Sequence, residues 1–290
     1  MAENTLSATR WVDQGGYFTR SNGQKIFYHR DGRGDPVVLL HGFPTWSFDY
    51  ASVAQELADT FDVIAPDFLG YGYSDKPKGH AFSVKDSADM LEEWLTFLGV
   101  QQIDLVIHDY GGIVGQELVD RRKRGSLSFR IKSLTLLNFG IDYASYRPTR
   151  AQKLLANPLL GGLVASRLKA EKIRAGLDAV RGDRKMTDAE FSDLWSGISE
   201  QDGHKLAHRH IRYNAERAEH SKRWEAALFS FDGPVQLIWG MADPVSGAHV
   251  LNTARPKLRR ARITELPDVG HFPQAEAPEC VAATIREFLA

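Results

Sequence analysis

The chain of 290 residues holds a single cysteine, Cys280, which excludes an internal disulfide. Free cysteines are mostly buried, so Cys280, within Pro278-Glu279-Cys280-Val281, is expected to pack under a helix rather than act as a nucleophile. No uninterrupted apolar run reaches the ~20 residues of a bilayer span. Met1 to Asp13 also lacks the basic-then-apolar layout of a signal peptide, and a cytoplasmic protein is expected. An excess of one charge sign is missing too. With 36 Lys and Arg against 37 Asp and Glu the net charge is −1, so no global field draws the chain to nucleic acid or an anionic membrane. The expected partner is a small molecule, and a homodimer is left open.

Low complexity is absent, and 25 glycines with 12 prolines argue for an ordered chain with many turns. Tyr17 to Arg20 and Lys25 to His29 read as a hairpin about Ser21-Asn22-Gly23, because Asn-Gly suits the tightest turns. After a second turn at Asp31-Gly32-Arg33-Gly34 come the runs 37–40, 63–65, 105–107, 134–137 and 235–239. These have no polar face, the pattern of strands covered on both sides in a parallel sheet. Helical patterns fall between them at 52–59, 83–98, 112–124 and finally 277–289. Strand alternating with helix predicts an α/β fold with a mostly parallel, doubly wound sheet.

The alternation stops after Gly140 and resumes near Pro234, and the segment between reads as helices alone: 150–155, 159–168, 169–180, 187–198 and 203–227. Thr187 with Glu190 three residues on is a capping box. The expected organisation is a core of residues 1–140 and 230–290 with a helical cap at 141–229, without a Gly/Ser linker or internal repeat. The basic stretch His204 to Arg223, interspersed with Glu216 and Glu219, is expected to be a solvated helix face.

The run Ile103 to Ile107 ends in His108-Asp109-Tyr110-Gly111-Gly112. An apolar strand breaking at a glycine pair into a helix is an elbow, and Asp109 stands at its apex, where a serine hydrolase carries serine. His41-Gly42-Phe43-Pro44 follows the first buried run, at the sheet edge where backbone N–H groups can hold a developing oxyanion. The amides of Phe43 and Tyr110 are the candidate donors. His271, on the loop Asp268-Val269-Gly270-His271-Phe272-Pro273, completes the chain order of nucleophile, acid, histidine. The acid is expected at Asp243, in Gly240-Met241-Ala242-Asp243-Pro244. Asn138 carries no charge to steady an imidazolium, and Asp142 is the reserve candidate.

These residues, with Asp67-Phe68-Leu69-Gly70-Tyr71-Gly72-Tyr73-Ser74-Asp75-Lys76-Pro77, resemble the α/β-hydrolase superfamily over nearly the whole chain. Within it the chain is similar to the haloalkane dehalogenases and epoxide hydrolases, which use an aspartate nucleophile. Residues 188–203 and 223–228 also look like a vertebrate branch that retains the His-Asp-Tyr-Gly elbow. A carboxylate is ionised at neutral pH and needs no base. Its attack on an acyl carbon gives an uphill anhydride, whereas attack on an sp3 carbon gives an ordinary ester. A small hydrophobic electrophile is therefore expected as substrate, with His271, oriented by Asp243, activating water to cleave the Asp109 ester without a cofactor.

The resemblance also separates two leaving groups. Dehalogenases of the family carry a tryptophan after the nucleophile and an asparagine as second halide donor; here Tyr110 and Phe43 stand in those places. Trp46 and Trp195 are the remaining indole candidates, though packing is the expected role of each. Epoxide hydrolases direct cap tyrosines at the ring oxygen. Tyr213 falls about where the second such tyrosine is expected, while Tyr143 and Tyr146 lie earlier than the first. Ile107 stands where many epoxide hydrolases have glycine. An epoxide hydrolase is favoured, a haloalkane dehalogenase is the alternative, and a non-catalytic or lipid- or ester-handling relative is the third reading.

Overall fold

The computed structural model describes residues 6–290, so the first five residues of the Met1 to Asp13 segment lie outside it. Strands β1 (Gly16–Thr19) and β2 (Lys25–Gly32) form the expected antiparallel hairpin, with Thr19 opposite Lys25. They are followed by β3 (Pro36–Leu40), β4 (Asp62–Pro66), β5 (Gln102–His108), β6 (Arg130–Leu137), β7 (Val235–Gly240) and β8 (Arg262–Leu266). The sheet runs β1-β2-β4-β3-β5-β6-β7-β8 and is parallel from β4 onward. Side chains alternate across a strand, so one apolar run feeds two cores. Val38, Leu40, Leu105 and Ile107 pack on one face, and Val37, Leu39 and Val106 on the other.

Helices α1 (Ala8–Asp13), α2 (Ala51–Leu57), α3 (Val84–Phe97) and α4 (Asp109–Lys123) precede β6. Between β6 and β7 the chain is helical, with α5 (Arg150–Leu155), α6 (Gly161–Ala165), α7 (Ala170–Asp178), α8 (Asp188–Ser199), α9 (Ala207–His210) and α10 (Tyr213–Phe229). α11 (Ala248–Ala254) follows β7, and α12 (Pro273–Glu276) and α13 (Pro278–Leu289) close the chain. The capping box forms as expected: the Thr187 side chain accepts from the Glu190 amide, and the Glu190 carboxylate accepts in return.

Four expectations are corrected. The half-exposed strand β8 carries Arg262 and Glu265 at an edge of the sheet and offers no apolar run to detect. The single helix expected over 203–227 is broken, because His210 stacks on Tyr71 with ring centroids 4.0 Å apart while Tyr213 packs on Tyr110 at 5.2 Å. His204 to Arg223 is not a wholly solvated face. His210 and Arg217 are buried, the latter because it shares the inward face of α10 with Tyr213, four residues earlier. Cys280 lies exposed on α13, since the buried face of that helix is Val281, Ala282 and Ile285.

Chain order reverses at β3, whose neighbours are β4 and β5, and in open α/β sheets ligands bind outside the strand ends at such a point. The helical insert reaches this edge through Trp46. Its buried indole donates to the Leu194 carbonyl at 3.0 Å and lies against Gly197, where any side chain would strike the ring. Trp46→Ala is expected to cost about 3–5 kcal/mol by vacating that contact. Denaturant unfolding checks the loss, and an unchanged midpoint would remove Trp46 as the anchor of α8.

Candidate active site

β5 delivers its last residue, His108, to this edge, and the next residue begins α4. Asp109 sits at φ +44°, a left-handed conformation that a non-glycine residue rarely adopts, and this turn thrusts its carboxylate out of the sheet. Gly111 permits the turn, because a Cβ there would collide with the Leu40 carbonyl of β3. Gly42 does the same from the opposite side, where a Cβ would meet that of Asp109 at 2.7 Å. The neighbouring Phe43 amide donates to Asp109 Oδ1 at 2.8 Å. The Tyr110 amide belongs to the first turn of α4, whose N–H groups have no intrahelical acceptor.

The Tyr110 side chain turns elsewhere. Its phenol is 2.7 Å from Ser87 Oγ and its ring packs on Phe68 and Tyr71, so the side chain at this position directs no donor toward Asp109.

Asp109, His271 and Asp243 come together as a chain. His271 Nε2 is 3.5 Å from Asp109 Oδ2, and His271 Nδ1 is 2.7 Å from Asp243 Oδ2. Asp243 also accepts from the Val245 amide at 2.7 Å, Ser246 Oγ at 2.8 Å and Asn138 Nδ2 at 3.0 Å. Asn138 therefore orients the acid rather than replacing it. Asp142 is excluded from the chain because it pairs with Lys257 and caps the turn at Tyr143.

Burial opposes each charge here, and the neighbouring charges outweigh it. Desolvation alone would raise Asp243, yet the His271 charge and its hydrogen bond bring it down to about 2. Desolvation would lower His271, but Asp243 and Asp109 push it up to about 10. Asp109, desolvated as well, is held below the usual carboxylate range by its hydrogen bond to His271, then by the charge of His271 and by the Phe43 amide.

Two features of the histidine loop escaped the sequence reading. Glu276, the last residue of α12 and buried, accepts from the amides of Gly182, Gly270 and Phe272 at 2.8 to 2.9 Å, clamping the loop to the insert. His108 crosses to the same loop, with Nε2 2.7 Å from the His271 carbonyl and Nδ1 3.1 Å from Gln274 Nε2. Burial, reinforced by the charge of His271, brings His108 down to about 3, so its neutral ring donates from Nε2 and accepts at Nδ1. A histidine beside the elbow was visible; the partner of its ring was not, because α12 lies 166 residues away in sequence.

A cavity of about 180 Å³ opens over Asp109, Phe43 and His271, and Leu155, Leu168, Ile173, Leu177 and Ile198 of the insert give it an apolar wall. Asp109 also borders a recess of about 10 Å³, lined by Tyr146, Tyr213, Arg217 and Gln152. Of the donors considered from sequence, Tyr146 and Tyr213 reach this recess. Tyr143 does not: it is 38% exposed and its ring stacks on the outer side of Tyr146. Trp46 has its N–H committed to Leu194, and Trp195 stacks between Phe191 and His204 outside both cavities.

An elbow, a backbone donor and an acid–histidine pair at the reversal point of a mostly parallel sheet define a hydrolase scaffold. The α/β hydrolase fold family matches residues 35–278, and the chain belongs to it. Among curated proteins, the human mesoderm-specific transcript homolog protein is 38% identical over 280 residues, covering 92% of this chain and 83% of that protein. A cis-3-alkyl-4-alkyloxetan-2-one decarboxylase of Shewanella oneidensis is 31% identical and covers 94% and 87%. Solved structures share the fold. A loop variant of a haloalkane dehalogenase from Bradyrhizobium elkanii superposes with TM-score 0.79 at 20% identity, covering 94% of this chain and 95% of that one. The epoxide hydrolase CorEH superposes at 0.76 with 22% identity, covering 94% and 97%. Among the described residues, no helix is long and apolar enough to cross a membrane.

Proposed function

We propose that the protein hydrolyses an epoxide to a vicinal diol through an alkyl ester on Asp109. The observation that carries this reading is the recess beside Asp109, bordered by Tyr146 and Tyr213, while both candidate indole donors are directed elsewhere. An epoxide leaves as an alkoxide and needs a proton; a halide leaves as a stable anion and does not. Phe43 holds Oδ1, so Oδ2 is the attacking oxygen. It forms a bond to the ring carbon, the carbon–oxygen bond of the ring breaks, and the expelled oxygen takes a tyrosine proton. Water then attacks Cγ of Asp109 and gives its proton to His271. The negative charge of that tetrahedral intermediate falls on Oδ1, already against the Phe43 amide. Collapse breaks the bond from Cγ to Oδ2, the departing alkoxide takes the proton of the hydroxyl newly bound to Cγ, and the diol leaves an ionised Asp109. The tyrosine recovers its proton from the solvent, to which His271 gave one up when the ester formed.

The charges around His271 time the two steps. At pKa about 10 it rests as an imidazolium and is no base, but esterification removes the charge of Asp109, one of the two carboxylates that raise it. The alkylation rate is therefore expected to stay flat between about pH 5 and 9, since Asp109 remains ionised throughout. Hydrolysis of the ester is expected to rise with pH to a plateau, its midpoint below that of free His271. Rapid-quench mass spectrometry over a pH series checks both limbs. A hydrolysis limb falling as pH rises would reverse the assignment of His271.

The Shewanella relative supports a second reading on a related electrophile, the strained β-lactone named for that enzyme. Product analysis with a matched epoxide, β-lactone and bromoalkane separates the readings. The expected result is diol from the epoxide and no bromide release; bromide release with an unreacted epoxide would move the assignment to a dehalogenase.

A further inference from the structure

Arg217 is 4% exposed and, among the described residues, lies within ion-pair distance of no carboxylate. Its Nη1 donates to Asn214 Oδ1 at 3.0 Å and its Nη2 to the Gly140 carbonyl at 2.8 Å. Two other buried arginines are paired: Arg20 grips Asp86 and Glu93, and Arg121 grips Asp89, Glu92 and Glu117. Arg181, also buried, donates only to the Arg184 and Ala275 carbonyls and lies away from the recess that holds Asp109. Burying a cation is costly unless an anion or several acceptors compensate it, and two neutral acceptors are thin compensation. The guanidinium is nevertheless built in tightly. A Cβ on Gly140 would run into it, and its Cζ lies 4.8 Å above the Tyr146 ring. It borders the recess that also holds Asp109, Tyr146 and Tyr213. At about 10 Å³ that recess has room for roughly one oxygen-sized atom.

We propose that Arg217 is the counter-charge for the oxygen expelled when Asp109 is alkylated, acting through the stacked Tyr146 and the adjacent Tyr213. The inference rests on the reading that Asp109 forms an alkyl ester, and it narrows the substrate to a strained ring whose carbon–oxygen bond opens to an anionic oxygen. As the carbon–oxygen bond breaks, its electron pair moves to the ring oxygen, a tyrosine proton follows, and the negative charge comes to rest on a phenolate beneath the guanidinium. Burial pushes the Tyr146 phenol up to about 12, and Arg217 pulls it back, the direction a proton donor requires. A carboxylate expelled from a β-lactone needs no proton and would place one of its anionic oxygens in the same recess. Both sources present one chemistry, an oxygen anion beside a guanidinium that has neutral acceptors and tyrosine rings but no carboxylate partner. As a residue acting through the tyrosines, Arg217 is a positioning and electrostatic residue.

The test measures single-turnover alkylation and ester hydrolysis separately in the full chain and in Arg217→Gln and Arg217→Lys, with an epoxide and a β-lactone of matched alkyl groups. With the epoxide, Arg217→Gln is expected to slow alkylation about 100-fold while leaving ester hydrolysis within about 3-fold. Arg217→Lys should recover much of the loss, and added guanidinium should accelerate Arg217→Gln but not the parent chain. A smaller slowing with the β-lactone identifies alkoxide expulsion as the sensitive step; equal slowing identifies direct binding of the anion. Equal slowing of alkylation and hydrolysis, with no rescue by lysine or guanidinium, would mean a purely structural role and overturn the proposal. If no strained ring alkylates the parent chain, the reading of Asp109 fails, and Arg217 is judged by binding alone. Butanoate is then titrated into Asp109→Asn with and without Arg217→Gln. At least about 10-fold weaker binding on loss of Arg217 sustains the anion site, and equal affinity overturns it.

Discussion

Substituting His271 with alanine will stop turnover while leaving Asp109 able to react, so the protein accumulates as its own ester. The first half-reaction needs an ionised Asp109, and the Phe43 amide still holds Oδ1 after the imidazole is gone. Loss of the His271 charge raises the Asp109 pKa, because that pairing outweighs the burial of the carboxyl. The reaction is therefore run near about pH 8, where a carboxylate released from its partner stays ionised. Steady-state turnover should fall on the order of 10⁴-fold, the scale of a lost general base. Intact mass should increase by the mass of one substrate, and peptide mapping should locate the addition at Asp109. Equal loss of adduct and turnover would place His271 in the first step instead.

Asp109→Ala is the complementary case and should have the larger effect, on the order of 10⁶-fold in turnover, the scale seen when a covalent nucleophile is removed. Here no adduct forms under any condition. The fold should survive with a lower melting temperature, because the pairing of Asp109 with His271 outweighs its burial while His271 keeps its partner Asp243. The circular dichroism spectrum and melting temperature check this point. One secondary effect follows from the charges. His271 loses one of the two carboxylates that raise it, so its imidazole should titrate lower by NMR in Asp109→Ala than in the parent chain. A histidine titration that does not move would contradict the coupling on which the order of events depends.

The sequence disclosed this site unevenly, and the reasons are physical. The elbow, the His41-Gly42-Phe43-Pro44 turn and the Asp243 and His271 loops each lie next to a buried strand or the last helix. Local pattern therefore carries them to the sheet edge where the structure brings them together. The insert is different. Its contribution depends on which helix face turns inward, and the basic composition of α10 pointed to solvent while Tyr213 and Arg217 share a buried face. Tyr146 precedes the helices of the insert on an irregular segment, and its approach to Asp109 comes from packing under Arg217. For Trp46 packing was the favoured role, but its partner was hidden because the acceptor of an indole N–H is fixed by tertiary contact, here a carbonyl 148 residues away. β8 was missed because a half-exposed edge strand has no apolar run.

The central claim is that an oxygen of Asp109 leaves in the product. A single turnover in ¹⁸O-water, with enzyme in excess over an epoxide, tests it most directly. The account predicts that the first diol carries no label and that the label appears in the Asp109 carboxylate, detectable by mass spectrometry of its peptide. Label in the diol from that first turnover, with none in Asp109, would mean that water attacks the ring directly and would contradict the covalent mechanism.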